Sequence, residues 1–130
     1  MSDKTLQKIM YVEDEPDIQA VAKLALETVG GFTVKICSSG KEALEVVHGF
    51  GPDLVLLDVM MPDMDGPSTL RELQADDSLK DLPVIFMTAK VQPQEIAQYR
   101  EMGALDVIPK PFDPMNLANS IREAWSRHVS

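Results

Sequence analysis

Five short apolar segments alternate with segments of helical periodicity along the chain, and this alternation restricts the fold more than any other feature of the sequence. The segments at 54–57 and 84–87 are apolar throughout, which is typical of strands covered on both faces in a parallel sheet. Successive parallel strands need crossover connections, which helices commonly supply. The five predicted strands are 9–12, 32–37, 54–57, 84–87 and 107–108.

The segments between these strands carry apolar residues at the three- and four-residue spacing of amphipathic helices. Proline suits the first turn of a helix and glycine the position just past its last turn, so both residues help to mark the ends. Five strands that alternate with five helices predict a doubly wound α/β fold. The prolines predicted in first turns are Pro16, Pro67, Pro93 and Pro114, and the glycines predicted just after helices are Gly30, Gly49 and Gly103.

The size and composition predict one cytoplasmic domain. The chain has 130 residues, of which 45% are hydrophobic and 25% charged, and this length suffices for one hydrophobic core. Its apolar runs are much shorter than the roughly 20 residues of a membrane helix. The polar start MSDKTLQK lacks the apolar stretch of a secretory signal. We therefore predict a single domain over 1–130, with a core at about 8–127 and no membrane association.

The charge and the cysteine content exclude further classes of protein. A net charge of −9 opposes contact with phosphate backbones, so we expect no direct binding of nucleic acid. Cys37 is the only cysteine, which excludes an internal disulfide. It lies in an apolar run, where we predict a small core residue rather than a reactive thiol.

Polar residues follow four of the five predicted strands. Glu13 and Asp14 follow the first strand, Asp58 the third, Thr88 the fourth, and Lys110 comes shortly after the fifth. In open α/β sheets, ligands bind outside the carboxyl ends of the strands. These positions are therefore the candidate site residues.

The candidate residues predict a magnesium site. Glu13, Asp14 and Asp58 would converge if the first and third strands are neighbours, and such a cluster is costly unless a cation neutralises it. Mg²⁺ prefers hard oxygen ligands, keeps several waters and is often bound by one or two carboxylates together with a phosphate. Lys110 could pair with one phosphate oxygen, and Thr88 could form a hydrogen bond to another.

Each of these residue types also has a purely structural interpretation. Carboxylates near a helix start complement its dipole, and we favour this role for Glu15 and Asp17. An aspartate can close an Asx turn, a threonine can cap a helix, and a lone lysine is most often solvated. Taken singly, each structural role has at least equal weight. The functional interpretation depends on the joint occurrence of all these residues.

Over the region from Lys8 to about Arg127, the chain resembles the receiver domains of response regulators. The resemblance rests on four segments in the order and approximate spacing found in the family. It implies a flavodoxin-like sheet with strand order 2-1-3-4-5. The four segments are YVEDEPD (11–17), LVLLDVMMPDMDG (54–66), VIFMTAK (84–90) and GALDVIPKPF (103–112).

The resemblance implies a role for each candidate residue at the predicted magnesium site. Asp58 would be the phosphoacceptor and also a Mg²⁺ ligand. Asp14 would bind Mg²⁺ directly, Glu13 would bind it through water, and the backbone carbonyl of Met60 would be a further ligand. Many relatives carry Asp at the position of Glu13, whose longer side chain keeps the charge and changes its reach.

The other implied roles concern the phosphoryl group and the response to it. Thr88 and Lys110 would bind phosphoryl oxygens, and the peptide bond from Lys110 to Pro111 is expected to be cis. Met60 and Lys90 stand at positions that influence hydrolysis of the acyl phosphate in relatives. Val107 stands where many relatives carry an aromatic switch residue. We therefore expect any output change to run through the loop after Thr88 and the helix near 93–102.

The resemblance also implies the partners. The phosphoryl donor would be the phosphohistidine of a histidine kinase or of a histidine phosphotransfer protein, and the output would be a changed interaction with another protein. We expect no enzymatic activity beyond phosphorylation and dephosphorylation of the domain itself. The last predicted helix reaches Trp125, so we further expect a stand-alone regulator without an output domain.

Three alternatives have sequence features against them. A phosphohydrolase with an aspartate nucleophile commonly needs a second Asp two residues later, where this chain has Met60. A flavodoxin-like cofactor carrier needs a small, hydroxyl-rich loop after the first strand, and here the acidic EDEPD would repel a phosphate. A pseudo-receiver that binds partners without phosphorylation would not need the intact set of acidic, threonine and lysine residues.

Overall fold

The computed structural model describes residues 5–129, which form one five-stranded parallel sheet covered by helices. The strand order is β2-β1-β3-β4-β5, and all four strand pairs are parallel. This confirms the predicted flavodoxin-like order 2-1-3-4-5. The strands are β1 (Lys8–Val12), β2 (Thr33–Cys37), β3 (Leu54–Asp58), β4 (Val84–Thr88) and β5 (Asp106–Pro109).

Five helices connect and flank the strands, as predicted. The first continues beyond its α-helical part into a π-helical segment, Ala25–Val29. Within residues 5–129, none of the helices combines the length and apolar character that crossing a membrane requires. The helices are α1 (Pro16–Leu24), α2 (Gly40–Phe50), α3 (Gly66–Ala75), α4 (Pro93–Glu101) and α5 (Leu117–Val129).

The sheet separates two hydrophobic cores, one on each face. Because successive side chains of a strand point to opposite faces, Ile9 and Tyr11 pack into the core beside α1 and α5, whereas Met10 and Val12 pack into the core beside α2 and α3. Every residue of β3 and β4 is buried. Burial on both faces explains why these two strands are apolar along most of their length.

The ends of two helices differ from the sequence prediction. Gly49 lies inside α2, which ends at Phe50, and Gly51 adopts the left-handed conformation with φ 64°. Its amide donates to the carbonyl of Val47 at 2.9 Å, so Gly51 rather than Gly49 ends the helix. Pro114 was predicted in the first turn of the last helix, but it lies in a separate turn, and α5 begins at Leu117.

Cys37 is a buried free thiol at the end of β2, which confirms its prediction as a core residue. Burial raises its pKa to about 11, and the carboxylate of Glu42 acts in the same direction. The thiol is therefore protonated at neutral pH, and it lacks the electropositive, accessible surroundings of a reactive cysteine.

Alanine substitutions at Gly49 and Gly51 test the observed end of α2. Gly49→Ala should stabilise the protein by about 0.5–1 kcal/mol, because alanine favours a helix interior and the added methyl group meets no atom within 4 Å. Gly51→Ala should destabilise it by about 1–2 kcal/mol, because the left-handed conformation crowds a Cβ atom. Urea unfolding of both variants measures the two changes. Equal destabilisation by both would contradict the observed helix end.

Candidate functional site

Three carboxylates meet at the carboxyl edge of the sheet. Asp58 ends β3, while Glu13 and Asp14 directly follow β1, which is the neighbouring strand. One carboxylate oxygen from each residue lies within 4.8 Å of the others. The structure therefore brings together the three acidic residues that the sequence predicted to converge, and this group could hold a divalent cation.

The carboxylate of Glu13 is completely buried and accepts three hydrogen bonds. Its Oε1 accepts from the hydroxyl of Tyr11 at 3.2 Å and from Nζ of Lys110 at 2.9 Å. Its Oε2 accepts from the backbone amide of Glu15 at 3.2 Å. The side-chain amide of Gln19 also donates to the backbone carbonyl of Glu13. These contacts hold the side chain and the backbone of Glu13 in one position.

Lys110 joins the last strand to the acidic cluster. Its Nζ lies 2.9 Å from Oε1 of Glu13 and 3.3 Å from Oδ1 of Asp58. Its backbone amide donates to the carbonyl of Thr88 at 2.9 Å, and its peptide bond to Pro111 is cis, as predicted. Burial lowers the pKa of Lys110, but its contacts with Glu13 and Asp58 outweigh burial and raise the pKa overall. Lys110 is therefore a cation shared by two carboxylates.

The environment of Asp58 disfavours its charged form. Burial raises its pKa to about 6, and the negative charge of Glu13 acts in the same direction, while Lys110 opposes both. The pKa of Tyr11 is raised by burial and by the nearby charge of Glu13. The phenol consequently acts as a neutral hydrogen-bond donor.

Thr88, at the end of β4, lies beside this cluster. β4 pairs with β3 so that Met87 is opposite Asp58, and Thr88 is the next residue. The Thr88 side chain is buried, and its Oγ1 accepts from the backbone amide of Lys90 at 3.0 Å. Thr88 therefore connects the site to the loop before α4.

Two other positions from the sequence prediction lie in different environments. Met60 is on the loop two residues after Asp58, and its side chain is 65% exposed. Val107 lies in β5, partly buried against the core on the α2 and α3 side of the sheet. Its backbone amide donates to Oδ1 of Asp106 at 2.8 Å. Residues 59–65 thus form a loop beside the acidic cluster, whereas Val107 is fixed in the sheet.

The family model described as "Response regulator receiver domain" matches residues 9–122. The chain belongs to the response regulator receiver domain family. This assignment agrees with the sheet order and with the acidic cluster, which lies within the matched region.

Two curated proteins are similar to this chain over nearly its whole length. The probable transcriptional regulator ycf27 of Guillardia theta is 36% identical over 124 residues, which cover 95% of this chain and 47% of that protein. The DNA-binding response regulator MtrA of Mycolicibacterium smegmatis is 34% identical, with 97% of this chain and 54% of that protein covered. The chain therefore spans about half the length of these curated relatives.

A solved structure supports the same assignment. The signal receiver domain of a signal transduction histidine kinase from Syntrophus aciditrophicus is 33% identical and has a TM-score of 0.80. The match covers 93% of this chain and 91% of that chain. This receiver domain of a histidine kinase therefore shares the fold of the present chain.

The sequence interpretation missed two residues that shape the receiver-domain site. Tyr11 lies two residues before Glu13, and the two-residue period of a strand could have indicated that both side chains share a face. Gly66 packs against the backbone of Asp58, because a Cβ atom at Gly66 would lie 2.6 Å from the Asp58 carbonyl oxygen. The sequence carries no comparable signal for this contact, which depends on how α3 approaches β3.

Asp58→Asn should make the stability of the protein less dependent on pH in the presence of EDTA. The pKa of Asp58 is raised from its ordinary value of 3.8 to about 6 in the folded protein. Between these values the folded state binds more protons than the unfolded state. The contribution of Asp58 to the unfolding free energy is therefore fully present below about pH 4 and is lost as the pH rises through about 6.

Urea unfolding between about pH 4 and about pH 7 would measure this dependence. Asp63→Asn is a matched control, because Asp63 is an exposed loop residue outside the acidic cluster and asparagine tolerates its positive φ of 69°. The control should follow the wild-type curve. An Asp58→Asn curve parallel to the wild type would contradict the assigned effect of Asp58.

Proposed function

We propose that this receiver domain accepts a phosphoryl group on Asp58 from a phosphohistidine donor, and that phosphorylation changes its interactions with other proteins. The observation that carries the proposal is the meeting of Asp58, two further carboxylates and the ammonium group of Lys110 at one edge of the sheet. The candidate phosphoacceptor, the candidate metal ligands and the candidate phosphate-binding cation therefore lie close to one another. The domain would catalyse only its own phosphorylation and dephosphorylation.

The donor set fits Mg²⁺. Carboxylates are the hard oxygen ligands that Mg²⁺ prefers, and one oxygen of each of the three carboxylates lies within 4.8 Å of the others. Both oxygens of Glu13 already accept hydrogen bonds, which supports binding through water for Glu13. Asp14, Asp58 and the Met60 carbonyl would be direct ligands. When bound, Mg²⁺ would offset the negative charge on the transferring group.

The proposed transfer forms one bond and breaks one. A carboxylate oxygen of Asp58 bonds to phosphorus, the bond from phosphorus to the imidazole nitrogen of the donor breaks, and its electron pair remains on that nitrogen. Lys110, whose Nζ is 3.3 Å from Asp58 Oδ1, would pair with one phosphoryl oxygen. The hydroxyl of Thr88 would donate to another. Both residues would hold the phosphoryl group through charge and hydrogen bonds.

Incubation with Mg²⁺ and acetyl phosphate should add one phosphoryl group to the wild-type protein, as measured by intact mass. Asp58→Asn should remain unmodified, because an amide is a poor nucleophile, and the wild type in EDTA should also remain unmodified. An adduct that persists in Asp58→Asn would place the acceptor elsewhere. A folded wild-type protein without an adduct would contradict the proposal, and the pseudo-receiver alternative would then be preferred.

We further propose that the response runs through the segment from Thr88 to the end of α4. The hydrogen bond between Thr88 Oγ1 and the Lys90 amide joins the site to this segment, and none of the residues of α4 is fully buried. A helix with few buried contacts can move at low cost in free energy. Val107 offers no aromatic ring that could move with Thr88.

Hydrogen exchange with and without beryllofluoride, a phosphoryl mimic, tests this route. Amide exchange within 89–102 should change severalfold when beryllofluoride and Mg²⁺ are added. Exchange in α2 should stay unchanged, and Asp58→Asn should abolish the response. Unchanged exchange within 89–102 in a protein that binds beryllofluoride would contradict the proposed route.

The proposed partners are a histidine kinase or histidine phosphotransfer protein as donor and another protein as target. The relatives include proteins named as a transcriptional regulator and a DNA-binding response regulator, but this chain matches only about half of each. Its net charge of −9 disfavours direct contact with DNA. We therefore propose a protein target, and we propose the cytoplasm as its location because response regulators generally act there.

A further inference from the structure

Among residues 5–129, Tyr11 is the one buried residue whose hydroxyl group donates to the acidic cluster without a role in the proposed transfer. Its side chain is fully buried in the core beside α1 and α5. Its hydroxyl donates to Oε1 of Glu13 at 3.2 Å. A buried tyrosine usually needs a partner for its hydroxyl, and here that partner is a candidate metal-site carboxylate. The contact follows from strand geometry, because Tyr11 and Glu13 are two residues apart along the direction of β1.

Tyr11 and Lys110 donate to the same oxygen of Glu13. Nζ of Lys110 is 2.9 Å from Glu13 Oε1, and it is also 3.3 Å from Asp58 Oδ1. A phosphoryl group on Asp58 would attract Lys110 to a phosphoryl oxygen. Glu13 Oε1 would then lose one of its two donors, and loss of a partner at a buried charged oxygen is costly. The hydroxyl of Tyr11 would remain on Oε1, and the Glu15 amide would remain on Oε2.

The length of the Glu13 side chain explains why its contact with Tyr11 matters. Glutamate has one more rotatable bond than aspartate, so its carboxylate must be held by neighbours if it is to keep one position. Lys110 cannot hold it throughout, because the proposed function requires Lys110 to move toward the phosphoryl group. Tyr11 is part of the rigid strand β1 and has no such second task.

We propose that Tyr11 is a positioning residue that holds the Glu13 carboxylate in the orientation required for Mg²⁺ binding, including when Lys110 pairs with a phosphoryl group. This inference rests on the proposed function of the site and adds a residue to it. The alternative is that Tyr11 is only a core aromatic residue, in which case phenylalanine would serve equally well. The two interpretations differ in the importance of a single hydroxyl group.

Tyr11→Phe removes that hydroxyl and keeps the ring. Isothermal titration calorimetry of the unphosphorylated protein with Mg²⁺ should show that the Kd rises about tenfold, the usual lower range for loss of a contact that orients a metal ligand. Tyr99→Phe is a matched control, since Tyr99 is the other of the two tyrosines and lies in α4. It should retain the wild-type Kd. A purely structural role of Tyr11 predicts a wild-type Kd for both variants.

A second substitution tests whether Tyr11 acts through Glu13. Glu13→Asp shortens the side chain and withdraws the carboxylate from Tyr11, so adding Tyr11→Phe to Glu13→Asp should change the Mg²⁺ affinity by less than about twofold. An additive effect in the double variant would show that Tyr11 does not act through Glu13. The ¹³C signal of the Glu13 carboxyl group, recorded in EDTA, should shift in Tyr11→Phe and stay unchanged in Tyr99→Phe.

The outcomes separate this inference from the proposed function. If the wild type binds Mg²⁺ and acquires a phosphoryl group while Tyr11→Phe shows the wild-type Kd, the inference about Tyr11 is overturned and the proposed function stands. If the wild type binds no Mg²⁺, both fail together. The inference is supported if Tyr11→Phe raises the Kd and shifts the Glu13 carboxyl signal, and if the effects of Tyr11→Phe and Glu13→Asp are not additive.

Discussion

The buried carboxylate of Glu13 imposes the strictest requirement on the structure. A charged group with no exposure to solvent is tolerated only when other groups compensate its charge and its hydrogen-bonding capacity. Here the compensation comes from Lys110, 97 positions away in the sequence, and from Tyr11 and the Glu15 amide. The sheet must therefore bring the ends of β1 and β5 near the end of β3. The ion pair between Lys110 and Glu13 therefore depends on the strand order.

The two hydrophobic cores provide the rigidity that this arrangement needs. β3 and β4 are buried along their whole length, so Asp58 and Thr88 at their ends are held by packing on both faces. Gly66 allows α3 to approach the backbone of Asp58 closely. The loop after Thr88 and α4 are less constrained, because none of the residues of α4 is fully buried. Rigid acidic groups and a less constrained segment thus meet at Thr88.

The strands and most site residues could be predicted from the sequence, whereas two helix ends could not. Apolar runs identified all five strands, and the residues after them identified Glu13, Asp58 and Lys110, because parallel strands end at a common edge. The predicted end of α2 was wrong because both Gly49 and Gly51 are plausible helix terminators in sequence. Only the backbone conformation distinguishes them. Pro114 was misplaced because a separate turn precedes α5.

Tyr11 and Gly66 were missed for a different reason. The sequence of β1 reads as a uniform apolar run, and a tyrosine in such a run is ordinarily a core residue. Its hydroxyl becomes significant because it donates to the Glu13 carboxylate. The contact of Gly66 with Asp58 depends on the path of the loop that joins β3 to α3. The Gly66 contact does not follow from local preference, because it arises only after α3 has packed against β3. The Tyr11 contact is local, since Tyr11 and Glu13 are two residues apart, but only the observed hydrogen bond distinguishes it from ordinary core packing.

The balance of charge at the site explains why its proposed parts depend on one another. When ionised, the three carboxylates and one ammonium group would leave two net negative charges. Burial, and next the negative charge of Glu13, raise the pKa of Asp58. A divalent cation would neutralise the excess and favour the ionised carboxylate, which is the nucleophile that the transfer requires. Phosphorylation would replace the single charge of Asp58 by the nearly double charge of a phosphoryl group. Lys110 would then be drawn toward Asp58, and Glu13 would depend more on Tyr11.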